Sequence, residues 1–289
     1  MAKSPVFVVG SPRSATSILV SALRIVGYEG FNEGNFLPLV NVLGRAVDRY
    51  LGVAGQSSPN VLAAHVDPEF LKRRIEGVIK DMEDGLNLGN LWFDKSSNPD
   101  MIEAIPRLRL LWPNSVYIFA KRRAIENVIS RVKKFPAHTF EQHCASWAMN
   151  MAAWRKVRAE LPPDAYLEVD QYDLIRNAQG IARRMTDFLG LPPELSKKIV
   201  KTFKMHRPQQ TSNGSAEQIH SLDSLGWPDD QVAAFKRICS SEMEAFGYTD
   251  GAGYDREARV SREAAVSREP VSAEDRVRPS GSAPGLNDS

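Results

Sequence analysis

Cysteine is nearly absent, with Cys144 and Cys239 the only two in 289 residues. Neither has a histidine or a second cysteine at metal-ligand spacing, which argues against a disulfide framework and against a zinc site. Both fall within helical patterns and read as core thiols. An excess of charge is missing too: 37 Lys and Arg stand against 35 Asp and Glu, a net charge of +2. No global basic field is available for DNA or RNA, so any cationic function is local. Long hydrophobic runs are also lacking, since none approaches the roughly 18 residues that a membrane span requires. The first apolar strand begins too near Met1 for a secretory leader. These absences lead to the expectation of a cytoplasmic protein without membrane span, metal or nucleic-acid partner.

What is present suffices for a full core, at 43% hydrophobic residues. Short, continuously apolar segments at Val6–Val9, Leu91–Phe93, Ser115–Phe119 and Tyr166–Val169 suit parallel strands covered on both faces. Stretches of 3.6-residue periodicity lie between and beyond them, over 16–26, 68–84, 99–111, 139–161, 177–189, 194–204 and 228–246. Gly190 and Gly247 read as helix stops. The alternation predicts an α/β fold, a three-layer parallel sheet flanked by helices, over residues 1–249. From about Asp250 the composition changes. Val-Ser-Arg-Glu occurs at Val260 and again at Val266 amid Ala, Pro, Gly and Ser, which predicts a disordered tail over 250–289.

The segment Val6-Phe-Val-Val-Gly10-Ser-Pro-Arg13-Ser-Ala-Thr-Ser17 reads as a buried strand, a small-residue turn and the first turn of a helix. Free amides at a helix start, the positive end of its dipole, and the Ser and Thr hydroxyls converge on a volume suited to phosphate or sulfate. Arg13 adds a full charge. Against the pattern G-x-x-x-x-G-K-[ST], Gly10 and Ser17 fit, but Ala15 replaces the second glycine and Thr16 the lysine. The loop therefore reads as a phosphate holder that is not an ordinary ATP or GTP loop.

A second cationic stretch, Lys121-Arg122-Arg123, follows the strand Ser115–Phe119. The carboxyl ends of parallel strands share one crevice edge, so Arg122 emerges beside the first loop, and Ser130, eight residues on, can face the same crevice. Paired anion sites on one edge imply a ligand with phosphates at both ends. Arg131, Lys133 and Lys134 read as a solvated helix face.

Taken together, Gly10–Ser17, then Trp92-Phe-Asp-Lys95-Ser-Ser-Asn-Pro99, then Arg122 with Ser130 resemble the nucleotide-binding stretches and lysine strand of the sulfotransferases that use 3′-phosphoadenylyl sulfate (PAPS). Tyr166–Leu174, Phe188–Leu191 and Trp227–Tyr248 are similar to later parts of that family, so the resemblance covers roughly residues 5–248. It implies a P-loop-like architecture and PAPS as co-substrate. Arg13, Ser14, Ala15, Thr16 and Ser17 would hold the 5′-phosphosulfate end, and Arg122 with Ser130 the 3′-phosphate. Ala15 departs from the usual glycine, a change that a helical first turn is expected to tolerate. The polar stretch from Met205 to Gly214 resembles a loop that closes over the nucleotide, with Arg207 and Ser212 as further contacts to the 3′-phosphate.

Transfer of a sulfuryl group to a hydroxyl needs positive charge at the leaving phosphate and a base for the hydroxyl proton. Arg13 and Lys95 supply the cations, Lys95 from the end of its strand. Many family members place a histidine two residues after this lysine, where Ser97 stands here. Others use a glutamate after the first helix, a place matched by Glu33 between Gly30 and Gly34. His65, just before the helix that Asp67-Pro68 starts, is the competing base. Phe31, Phe36 and Leu37–Val40 are candidates for the lining of an acceptor pocket. One alternative is a Mg²⁺-dependent nucleoside or small-molecule kinase, for which Asp94 would supply the strand-end carboxylate. Another is a nucleotide-binding protein without catalysis. The acceptor, whether a sugar, a lipid head group or a small metabolite, is not encoded in any motif.

Overall fold

In the computed structural model, residues 4–34, 36–54, 58–86, 89–205 and 219–251 are described. The chain runs β1 (Val6–Gly10), α1 (Thr16–Ile25), β2 (Glu29–Phe31), α2 (Phe36–Ala54), α3 (Pro68–Leu86), β3 (Trp92–Lys95), α4 (Pro99–Glu103) and α5 (Ile105–Leu111). It continues through β4 (Val116–Lys121), α6 (Ala124–Lys134), α7 (Phe140–Arg158), β5 (Tyr166–Asp170), α8 (Gln171–Arg176), α9 (Ala178–Leu189), α10 (Ser196–Met205) and α11 (Asp229–Ala245). All strand pairings are parallel, in the order β2-β3-β1-β4-β5.

Side chains alternate across a strand, and each face of the sheet has its own core. Val6 and Val8 with Phe93, Ile118 and Val169 pack beneath α1, α9 and α10. Phe7 and Val9 with Trp92, Tyr117 and Phe119 pack against α4, α5, α7 and α11. Phe119 stacks on Trp154 at 4.5 Å between ring centroids and 3° between planes. Both rings are fully buried, each contributing on the order of 2–3 kcal/mol through burial. Cys144 and Cys239 sit in this core as free thiols.

The predicted strands and helices recur with boundaries shifted by up to three residues, and their ends have the expected chemistry. Thr139 and Gln142 cap α7 reciprocally, and Gly190 stops α9 at φ 66°. Two features differ. The helix expected over 99–111 breaks at Ala104, because Pro106 near the start of α5 cannot donate into a continuous helix. The strand β2 was not expected, since Glu29-Gly-Phe is short and lies at a half-exposed sheet edge. Among the described residues no helix is long and apolar enough to cross a membrane. The expected tail lies outside the described residues from Ala252 onward.

One ionic cluster locks β5 to the rest of the sheet. Glu168 accepts from Lys121 Nζ at 2.6 Å, from Trp154 Nε1 at 2.9 Å and from Arg158 Nη1 at 2.5 Å. Burial alone would raise its carboxyl, but Lys121, Trp154 and Arg158 together hold it at about 2. A depressed carboxylate adds stability above its unfolded value, and that stability is lost as pH falls toward the folded one. Glu168→Gln should therefore lower stability at pH 7 by about 3 kcal/mol, having left two cations unpaired. It should also flatten the decline between pH 4.5 and 2, as read by urea unfolding across that range.

Candidate functional site

The order β3-β1-β4 places the ends of these strands side by side, with Val8 level with Lys95 and Gly10 level with Ala120. Gly10, at φ 144°, has no room for a side chain: a Cβ there would lie 2.2 Å from the Ala120 carbonyl oxygen. The chain then turns through Arg13 (φ 74°) and Ala15 (φ 71°) before entering α1. Ala15 is thus not part of a helical first turn, as expected, but the residue preceding it in left-handed backbone. For an L-residue with a Cβ this costs about 1–2 kcal/mol relative to the right-handed region. Ala15, the residue before α1, has no side chain able to cap the leading amides of the helix.

The two cationic stretches touch. Arg13 Nε donates to Ser130 Oγ at 2.9 Å, and Arg122 Nη1 donates to the Arg13 carbonyl at 3.1 Å. Arg122 therefore faces the opening loop, as expected of a shared crevice. Asn127, a residue that sequence reasoning did not single out, donates through Nδ2 to the Pro12 carbonyl (3.0 Å) and to Ser14 Oγ (3.1 Å). It lies one helical turn before Ser130, so the 3.6-residue spacing alone could have pointed to it. Ser14 and Thr16 are buried and Ser17 is exposed.

Arg123 and Arg131 depart from the sequence-based picture. Arg123 is fully buried, paired with Glu126, and donates to the carbonyls of His220 (2.5 Å), Thr249 (3.2 Å) and Gly251 (2.8 Å). It ties the C-terminal part of the fold to the start of α6, and in a run of three cations nothing distinguished it. Arg131 was expected on a solvated face with Lys133 and Lys134. Both lysines are exposed, but Arg131 is 5% exposed beneath α7, stacked over Phe135, and burial lowers its pKa. The helix turns inward at that position.

Lys95 and Glu33 are brought together as an ion pair, the lysine side chain 9% exposed and the glutamate 60%. Such a half-exposed pair contributes at most about 1 kcal/mol, so its value lies in position. His65 is not part of this group. It follows a single 3-10 turn, is exposed, and its Nε2 is 2.7 Å from the carbonyl of Pro59. Phe31 and Leu39 are partly buried and pack against the core that holds α4 and α5. The side chains of Phe36, Leu37, Pro38 and Val40, and all of Arg207 and Ser212, lie outside the described residues.

Asp94, considered for metal binding in a kinase, has another occupation. It is fully buried, accepts the Gly34 amide at Oδ1 (2.9 Å) and the Ser96 hydroxyl at Oδ2 (3.2 Å). Burial pushes its carboxyl up to about 6, with the Ser96 and Gly34 bonds opposing, Glu33 adding to the rise and Lys95 countering it.

A wholly parallel sheet flanked by helices, with a strand-loop-helix turn leading from β1 into α1, defines an α/β fold of the P-loop type. A family model described as "Sulfotransferase family" matches residues 5–195, and the chain belongs to that family. Among solved structures, the fold is similar to sulfotransferase STF9 from Mycobacterium avium, at 12% identity and TM-score 0.51, covering 88% of this chain and 79% of that one. It is also similar to the sulfotransferase domain of the Synechococcus PCC 7002 olefin synthase, at 17% identity and TM-score 0.50, covering 86% and 96%. No curated protein matches the sequence.

The elevated Asp94 carboxyl has a measurable consequence. An acid whose pKa is raised on folding contributes stability below its unfolded value, near 3.8, that is lost as pH rises through about 6. Asp94→Asn should abolish this component, worth about 3 kcal/mol by linkage. Relative to the variant, the native chain should therefore lose about that much between pH 3.5 and 7.5 in urea unfolding.

Proposed function

We propose that this sulfotransferase moves the sulfuryl group of PAPS to an acceptor hydroxyl by direct in-line transfer. The observation that carries the reading is the pair of bonds joining Arg13 to Ser130 and Arg122 to the Arg13 carbonyl. They bring the two cationic stretches into direct contact rather than leaving them on separate surfaces, which supports a shared ligand. The 5′-phosphosulfate would rest on the amides and hydroxyls of Ser14–Ser17 with Arg13 alongside. The 3′-phosphate would take Arg122 and Ser130, with Arg13 giving up its present bond to Ser130.

In the transfer step the acceptor oxygen forms a bond to sulfur as the bond from sulfur to the bridging phosphate oxygen breaks. The acceptor proton passes to Glu33, and the electron pair leaves with adenosine 3′,5′-bisphosphate. Lys95 holds Glu33 with one of its three donors, which leaves others for the bridging oxygen as charge develops there. A buried ammonium at this point acts in a less polar surrounding than water, which strengthens its attraction for the leaving group. The acceptor would be a small molecule bearing a hydroxyl, entering on the side of the exposed Glu33.

Calorimetry with adenosine 3′,5′-bisphosphate, and with ATP in the presence and absence of Mg²⁺, tests the reading. Binding of the bisphosphate indifferent to Mg²⁺ supports it, and a Mg²⁺-dependent preference for ATP overturns it. Arg122→Ala should weaken the bisphosphate by about tenfold to a hundredfold, the range of one charge-assisted bond, and leave adenosine 5′-phosphosulfate nearly unchanged. Equal losses for both ligands would refute the assignment of Arg122.

A further inference from the structure

The turn that carries Glu33 is held at its backbone by a second group besides Lys95. β2 ends at Phe31, level with Asp94 on β3, and the chain then folds over the end of β3 within three residues. Successive strand residues point to opposite faces, so the turn straddles the strand end, meeting Asp94 on one side and Lys95 on the other. On the Asp94 side the contact is backbone to carboxylate, Gly34 N to Oδ1 at 2.9 Å. The approach is so close that a Cβ at Gly34 would lie 2.2 Å from Oδ1 and 2.9 Å from Phe31 Cβ. The second carboxylate oxygen is steadied by the Ser96 hydroxyl, and the whole residue is buried.

We propose that Asp94 is a positioning residue for the transfer reaction, fixing the Phe31–Gly34 turn through the Gly34 amide so that the Glu33 carboxylate is delivered to Lys95. The inference rests on the reading of Glu33 as base. The physical logic is that Glu33 itself is 60% exposed and joined to Lys95 by an ion pair too weak to order a loop. A buried charge-assisted bond to the backbone is stronger and directional. Asp94 thus acts through Glu33, without touching substrate, and the glycine at position 34 is what lets the backbone come near enough.

The test compares Asp94→Ala, Asp94→Asn, Gly34→Ala and Glu33→Gln in the full chain. Activity is the release of bisphosphate from PAPS with the best acceptor from a panel of simple phenols and alcohols. Asp94→Ala should lower kcat by about tenfold to a hundredfold, the cost of a misplaced catalytic group, with bisphosphate affinity within about twofold of the parent. Asp94→Asn retains an acceptor for the Gly34 amide and should recover most of that loss. Gly34→Ala keeps the carboxylate but lifts the turn, so it should lose kcat alike, and the Asp94→Ala/Gly34→Ala double variant should be no worse than Asp94→Ala. Hydrogen exchange adds a readout that needs no acceptor: the Gly34 amide should exchange at least about tenfold faster in Asp94→Ala. The proposal is overturned by wild-type kcat in Asp94→Ala alongside an inactive Glu33→Gln, or by unchanged exchange at Gly34. Full activity in Glu33→Gln would instead remove the base assignment, and the positioning role with it.

Discussion

The site depends on the cross-link between the β1–α1 loop and the β4–α6 corner. Arg13, Ser130, Arg122 and Asn127 exchange hydrogen bonds with one another's segments across more than a hundred residues of chain. None of these bonds belongs to regular secondary structure. They hold a loop that passes through left-handed backbone at Arg13 and Ala15, a conformation unfavourable for residues with a Cβ. Such local cost persists where surrounding contacts over-determine the geometry, and here Asn127 gripping the Pro12 carbonyl and Ser14 hydroxyl supplies that determination. The result is a loop whose shape is set by the protein's own contacts.

At the neighbouring strand end the design is different. β3 presents a buried acid and a buried base in succession, and the exposed turn bearing Glu33 is draped over both. Rigid strand, fixed turn and mobile solvent meet within a few residues. The β1–α1 loop and the Asp94–Lys95 strand end consequently stand on adjacent strands of one sheet, β1 and β3, with the hydrophobic layers on either side keeping those strands in register.

Much of this was legible beforehand because it follows from local pattern. Apolar runs of three to five residues marked β1, β3, β4 and β5, and caps such as Thr139 with Gln142 and the glycine at 190 marked helix ends. Arg13, Lys95 and Arg122 were singled out from their places at or after strand ends, and Ser130 from its spacing to Arg122. What escaped depended on distant partners. Arg131 looks like Lys133 in sequence, yet lies under α7, and Arg123 is indistinguishable from Arg122 until residues 220, 249 and 251 come to rest on it. The edge strand β2 escaped for the opposite reason: it is held by hydrogen bonds to β3 and has too little apolar content to announce itself.

By itself the sequence determined a parallel α/β chain with two cationic stretches placed after strands, since these follow from hydrophobic period, turn chemistry and charge placement over short windows. Only the tertiary structure decided the order β2-β3-β1-β4-β5, and with it which strand ends are neighbours. That order makes Glu33 a partner of Lys95 rather than His65, and turns Asp94 toward the Gly34 amide. Hydrogen bonds and ion pairs act over a few ångströms, so which of several plausible carboxylates and imidazoles meets a given cation is set by how the whole sheet assembles and not by proximity along the chain.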